Sequence, residues 1–90
     1  MGERWHVYIV QCADQTLYTG VAKDVDTRVC QHNAGRGAKY TRGRRPVELV
    51  YTEPAEDRST ALRRECAIKK MPTARKVSLI TTSSEKKSHV

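Results

Sequence analysis

The sequence predicts an α+β fold, α/β sandwich-like, in which a three-stranded antiparallel sheet is flanked by helices in the order β-β-α-(short α)-β-α-α. Three observations lead there. Trp5 to Cys12 is rich in aromatic and β-branched residues, and Leu17 to Val21 and Val47 to Thr52 repeat the short alternating character of half-buried strands. Two later stretches open on capping acids and carry apolar residues at helical spacing. The length, 90 residues, is that of one domain. A chain of this size buries only about 60–65% of its unfolded surface, so the core must be thin.

In the first strand Trp5, Val7 and Ile9 share one face, and His6, Tyr8, Val10 and Cys12 share the other. Leu17 to Val21 is its hairpin partner across Ala13-Asp14-Gln15. A two-residue loop would pair Tyr18 with Gln11 and put Tyr8 and Tyr18 on opposite faces, whereas a three-residue loop pairs Tyr18 with Val10 and puts them side by side. The three-residue register is the one adopted here. Asp24 caps a first helix with Val25, Val29 and Cys30 on its apolar side, ending near Asn33 and closed by Gly35. On it Arg28 and His32 stack one turn apart. Gly35 to Pro46 reads as a glycine-punctuated loop with one short helical turn near Ala38 to Arg42. Asp57 or Ser59 caps a helix running through Met71, where Pro72 blocks propagation. Its apolar side is Ala61, Leu62, Ile68 and Met71, and Glu65 lies on or beside that stripe. Thr73 caps a last short helix to about Ile80. The domain therefore spans 1–80, and 81–90 reads as a flexible polar tail.

Lys and Arg number 17 against 10 Asp and Glu, a net charge of +7, the balance of a polyanion-binding domain. Arg36, Lys39, Arg42, Arg44 and Arg45 fall in a segment from Ala34 to Val47 that contains no acid, and this reads as a phosphate-facing patch. Its five cations would grip nucleic-acid backbone without reading sequence. The three widely spaced cysteines, Cys12, Cys30 and Cys66, form neither a disulfide framework nor a zinc spacing. No apolar run is long enough to span a membrane and no secretory segment opens the chain, so the expectation is a cytoplasmic monomer. Gly35-Arg36-Gly37-Ala38-Lys39-Tyr40-Thr41 lacks the order and glycine spacing of an NTPase phosphate loop. There is no Gly-x-Ser-x-Gly elbow and no zincin helix, which removes acyl transfer and zinc proteolysis.

Taken singly, Tyr8 and Tyr18 read as strand-packing aromatics, Arg28 and His32 as an exposed helix face, and Glu65 as an i,i+4 partner of Lys69. Their order and spacing change the reading. Val7-Tyr8-Ile9, Tyr18-Thr19-Gly20 ten residues on, Arg28 ten residues after the second tyrosine, His32 one turn later and Glu65 in a later helix resemble the GIY-YIG nuclease superfamily over roughly residues 4 to 80. Gly35-Arg36-Gly37-Ala38-Lys39 and Asp57-Arg58-Ser59 with Ala61 to Glu65 resemble its small single-domain bacterial members. Val7 stands where that signature has Gly, Thr19 where it has Ile, and no Asn follows Glu65.

The resemblance implies a DNA endonuclease, structure-selective or weakly sequence-selective, with branched or damaged DNA as its partner. It implies that Glu65 binds one divalent cation, Mg2+ or Mn2+, that Arg28 holds the scissile phosphate, and that Tyr8, Tyr18 or His32 manages the proton of the attacking water. A nearby cation and Arg28 would lower the pKa of a tyrosine. The alternative is a module of the same fold that binds nucleic acid and cleaves it weakly or not at all.

Overall fold

The computed structural model describes residues 4–88, with side chains as far as Thr82. The elements are β1 (Trp5–Gln11), β2 (Leu17–Ala22), α1 (Val25–Asn33), α2 (Lys39–Arg42), β3 (Glu48–Ala55), α3 (Arg58–Lys69) and α4 (Thr73–Ser88). The strands form one antiparallel sheet in the order β2-β1-β3, so the element order and fold class are those the sequence predicts.

The hairpin loop sets the register. Gln15 adopts a left-handed backbone (φ 70°), and Cys12 N–H donates to Thr16 O at 2.8 Å while Gln15 N–H donates to Cys12 O at 2.8 Å. Asp14 fixes the turn by accepting from the Thr16 amide at 3.1 Å and the Thr16 hydroxyl at 2.6 Å. Ala13-Asp14-Gln15 is thus the three-residue loop of a type I turn followed by a left-handed residue. It pairs Val10 with Tyr18 and Tyr8 with Gly20, and both tyrosines lie on one face.

β1 is buried on both faces. Val7 and Ile9 join Ala55, Ala61 and Ile68 in one core, completed by Trp5, Tyr51, Met71, Leu79 and Ile80. Tyr8, Val10 and Cys12 join Val47 in the other, where Val25 and Val29 of α1 pack. The first core lies under α3 and α4, the second under α1. α1 begins at Asp24, whose carboxylate accepts from Thr27 N–H at 3.1 Å. It ends in a Schellman arrangement: Gly35 takes φ +82°, its N–H donates to His32 O at 3.1 Å, and Arg36 N–H donates to Gln31 O at 2.9 Å. Asn33 then acts as a side-chain strand partner for Val47, accepting from its amide at 2.7 Å and donating to its carbonyl at 3.1 Å. That pair closes the base of the 34–47 loop.

β1 ends at Gln11 and β2 at Ala22, each one residue from the sequence reading, and the later elements differ more. β3 starts at Glu48 and runs to Ala55 instead of spanning Val47 to Thr52, because on an edge strand Pro54 leaves no ladder bond unmade. A bulge between the Ile9 and Val10 partners leaves Val50 extra, so both Val50 and Tyr51 turn to the α3 side. α3 stops at Lys69, capped by Asp57 through Thr60 N–H at 2.8 Å. α4 has Thr73 inside its first turn, with the Pro72 carbonyl accepting from Arg75 and Lys76, so Thr73 is not the cap. The helix continues to Ser88 where a flexible tail was expected after residue 80, since no Gly or Pro interrupts Thr81 to Ser88. Residues 89 and 90 lie outside the described ones.

Ile68 is fully buried where α3 meets the sheet. Ile68→Ala should lower unfolding free energy by about 2–5 kcal/mol in a denaturant titration, against a change within about 0.5 kcal/mol for Cys30→Ser on the exposed side of α1.

Candidate active site

The site is built around an imidazole with no access to solvent. His32, 0% exposed, places Nε2 2.7 Å from Tyr8 Oη, across 24 residues of sequence. Its Nδ1 lies 3.0 Å from Thr41 Oγ1 and accepts the Ala38 backbone N–H at 3.3 Å. Thr41 is also fully buried, and its Oγ1 sits 2.8 Å from Ala38 O. β1, α1 and the start of α2 therefore meet in one chain of polar contacts. A buried polar group costs about 1–3 kcal/mol when left unpaired, so these three elements hold each other in place.

Two glycines make the chain possible. A Cβ on Gly20 would lie 2.6 Å from Tyr8 Oη, so the phenol crosses β2 at the position where β2 carries no side chain. A Cβ on Gly37 would strike the His32 ring and sit 2.7 Å from His32 Cα. Neither atom has room to give, since one neighbour is backbone and the other is locked by hydrogen bonds.

Around this buried pair lie the remaining sequence-predicted residues. The Tyr18 ring meets the His32 ring edge-on at 5.5 Å and stacks on Tyr40 at 5.8 Å with 24° between planes. Lys69 Nζ hangs 5.8 Å from the Tyr18 ring and pairs with Glu65 Oε2 at 3.2 Å, which brings the α3 carboxylate to the edge of the sheet beside β2. Glu65 is 18% exposed in its side chain and its charge acts on Tyr8. Arg28 is half-buried on α1, donates from Nη1 to Gln31 at 3.0 Å, and bears on both Tyr8 and His32. The structure thus gathers Tyr8, Tyr18, Arg28, His32 and Glu65 in one place. Sequence reading missed Tyr40, Thr41 and the steric reason for Gly20 and Gly37, whereas the Lys69 partner it offered for Glu65 is present. Only a hydroxyl residue nine positions after His32 hinted at Thr41, and nothing in spacing marks it.

Burial dominates the electrostatics. Desolvation pushes the Tyr8 phenol up to about 12, opposed by the nearby Arg28 guanidinium. The expected lowering of a tyrosine by Arg28 is therefore outweighed at Tyr8. His32 is held below the ordinary imidazole value, first by burial and then by the Arg28 charge. Both groups are neutral at pH 7.

The basic segment divides into two kinds of residue. Arg44 donates from Nε to Asp14 Oδ2 at 3.0 Å and from Nη1 to Tyr40 O at 2.8 Å, and its guanidinium lies 4.0 Å over the Tyr40 ring. Its charge clamps Tyr40 onto Tyr18. Arg45 is exposed yet donates to Arg42 O at 2.9 Å and Asn33 O at 3.3 Å. Arg36, Lys39 and Arg42 are exposed on the same loop. With Arg45 they leave four cations on its surface, one fewer than the five that the sequence suggested.

Among the described residues no three His, Cys, Asp or Glu side chains gather into a metal site. The hard oxygen donor at this site is the Glu65 carboxylate, which has Lys69 on one of its two oxygens. No helix among the described residues is long and apolar enough to cross a membrane.

Comparison with known proteins identifies the family and the fold. The family model described as the GIY-YIG catalytic domain matches residues 4–77. The chain is 52% identical to a UPF0213 protein of Desulfotalea psychrophila over 90% of this chain and 74% of that protein. It is 53% identical to one of Natronomonas pharaonis over 83% and 88% of the two chains. The solution NMR structure of a UPF0213 protein from Bacillus halodurans superposes with a TM-score of 0.57 at 40% identity, covering 88% of this chain and 84% of that one.

Two outcomes check the site. As pH falls through the window below 6.5, the unfolded chain binds a proton at His32 that the folded chain refuses, so stability should decline there. As pH rises from 10 towards about 12 the unfolded chain loses the Tyr8 proton first, so stability should decline again. Denaturation midpoints against pH should show both limbs, with His32→Gln weakening the acid limb and Tyr8→Phe the alkaline one. Gly20→Ala should cost about 1–3 kcal/mol by forcing the Tyr8 ring aside, read as a fall in thermal midpoint.

Proposed function

The chain belongs to the GIY-YIG catalytic domain family, and from that premise we propose that it is a metal-dependent endonuclease hydrolysing DNA phosphodiester bonds, with a preference for DNA structure over sequence. The supporting observation is the layering of the site: a neutral, buried Tyr8–His32 pair overlain by Tyr18, Arg28 and Glu65.

Each layer has a task. Arg28 is permanently charged and planar, so it holds the scissile phosphate and offsets the charge that builds on it. Glu65 holds Mg2+ or Mn2+, which when bound supplies positive charge at the phosphate and the leaving oxygen. Tyr18 is half-buried, whereas Tyr8 is 1% and His32 0% exposed, so Tyr18 is the phenol that meets the attacking water. His32, nominally the base best matched to neutral pH, is screened from that water by the protein. Arg36, Lys39, Arg42 and Arg45 hold neighbouring phosphates, which orients the strand without reading bases.

The Lys69–Glu65 ion pair favours the second reading, a binding module, because an ammonium competes with a cation for the carboxylate. Incubation of the purified chain with branched, nicked, single-stranded and duplex DNA and Mg2+ or Mn2+ separates the two. Wild type should cleave at least one substrate and Glu65→Ala should lose about 10²-fold or more in rate; equal rates would remove Glu65 from the mechanism. Salt-sensitive binding without cleavage of any substrate would establish the module. In either case log affinity against log salt for duplex DNA should slope near −3 to −4, as about four phosphate contacts require, and Arg42→Ala should flatten it by about 1 while Arg44→Ala, which loosens Tyr40, should leave it nearly unchanged.

A further inference from the structure

His32 Nδ1 faces two hydrogen-bond donors of different freedom. The Ala38 N–H belongs to the backbone, cannot rotate, and points at Nδ1 from 3.3 Å. The Thr41 hydroxyl, 3.0 Å away, has one hydrogen to give either to Nδ1 or to the Ala38 carbonyl at 2.8 Å. That carbonyl already accepts the Thr41 backbone N–H at 3.0 Å. If Nδ1 carried the imidazole proton, it would oppose the fixed Ala38 N–H inside a fully buried site. With Nδ1 bare, its one in-plane lone pair accepts the Ala38 N–H, and the Thr41 hydroxyl, by donating to the Ala38 carbonyl, holds that peptide in place. The ring proton then resides on Nε2, directed at Tyr8 Oη at 2.7 Å.

With Nε2–H donating to it, Tyr8 Oη keeps its own hydrogen to give. We infer that Thr41, with the Ala38 amide, locks His32 as the Nε2-protonated tautomer and so leaves Tyr8 as a hydrogen-bond donor towards a substrate oxygen. Thr41 is a positioning residue: it touches neither substrate nor water and acts through His32. The substrate half of this inference rests on the nuclease reading, and the tautomer half does not. Tyr8 and Tyr18 then differ in chemistry although their triplets look alike. Tyr8 is the buried donor, and Tyr18, stacked on Tyr40 and half-open, is left to handle the water.

Long-range proton–nitrogen NMR on 15N-labelled protein without DNA or metal reads the tautomer directly. At neutral pH wild-type His32 should show a protonated Nε2 and a bare Nδ1; a protonated Nδ1 overturns the inference. Thr41→Val keeps the shape and removes the hydroxyl that holds the Ala38 peptide against the ring, so the single-tautomer pattern should be lost, and Thr41→Ser should restore it. Amide dispersion identifies folded variants, and Thr41→Ala serves if valine does not fold. With the substrate that wild type cleaves best, Thr41→Val should lose about tenfold in kcat at unchanged KM, the worth of one hydrogen bond, and Thr41→Ser should return to within about twofold. A Thr41→Val protein with wild-type tautomer and rate removes Thr41 from the role. Absence of any wild-type cleavage sinks the nuclease reading and the donor role of Tyr8, and the NMR result still decides the tautomer by itself.

Discussion

The hydrogen bond between Tyr8 and His32 is the contact on which the arrangement depends. It joins the central strand to α1 in the interior, and both partners are almost wholly removed from water. Such a bond adds only about 1 kcal/mol net, but leaving either group unpaired would cost more, so the surroundings are shaped to keep it. Gly20 leaves space for the phenol, Gly37 leaves space for the imidazole, and Thr41 and Ala38 fill the other side of the ring. The result is a polar spine within a thin apolar domain.

The sheet separates stability from chemistry. One face of β1 supplies Val7 and Ile9 to a core shared with Ala61 and Ile68, where burial of apolar surface is the main stabilising term. The other face spends part of its area on Tyr8 and the groups bonded to it. α3 serves both faces. Its buried side anchors Ala61 and Ile68, while Glu65 and Lys69 emerge at the β2 edge beside Tyr18. Glu65 therefore sits next to an apolar stripe in sequence because α3 passes from core to cleft within one helix.

The 34–47 loop shows why a run of like charges is not a uniform surface. Asn33 to Val47 closes its base, Ala13 N–H donates to Arg44 O at 2.8 Å, and Arg44 itself binds Asp14 on the hairpin turn. The Asp14–Arg44 pair is exposed and worth at most about 1 kcal/mol, so its value is geometric: it places the guanidinium over Tyr40, and Tyr40 over Tyr18. Charge in this loop thus orients the site.

The alternation of Trp5 to Cys12, the caps Asp24 and Asp57, and Gly35 after α1 are local signals, and by themselves they determined the elements. The hairpin register had two readings until the family resemblance, carried by five separated residues, required the three-residue loop. The same resemblance named the residues that gather at the site, and their order survives folding because period 2 on a strand and a one-turn interval on a helix do. Local signals failed where the deciding partner is distant. The end of β3 depended on being at a sheet edge, and the burial of Tyr8 and His32 on Gly20 and Gly37, which each meet a ring from another element. Thr41 has no sequence signature at all, since its partner nitrogen lies nine residues back and meets it only when α2 folds onto α1. Which arginines remain available to a phosphate was likewise settled by tertiary contacts, because a charge in a sequence does not say whether a carboxylate or a carbonyl has already claimed it.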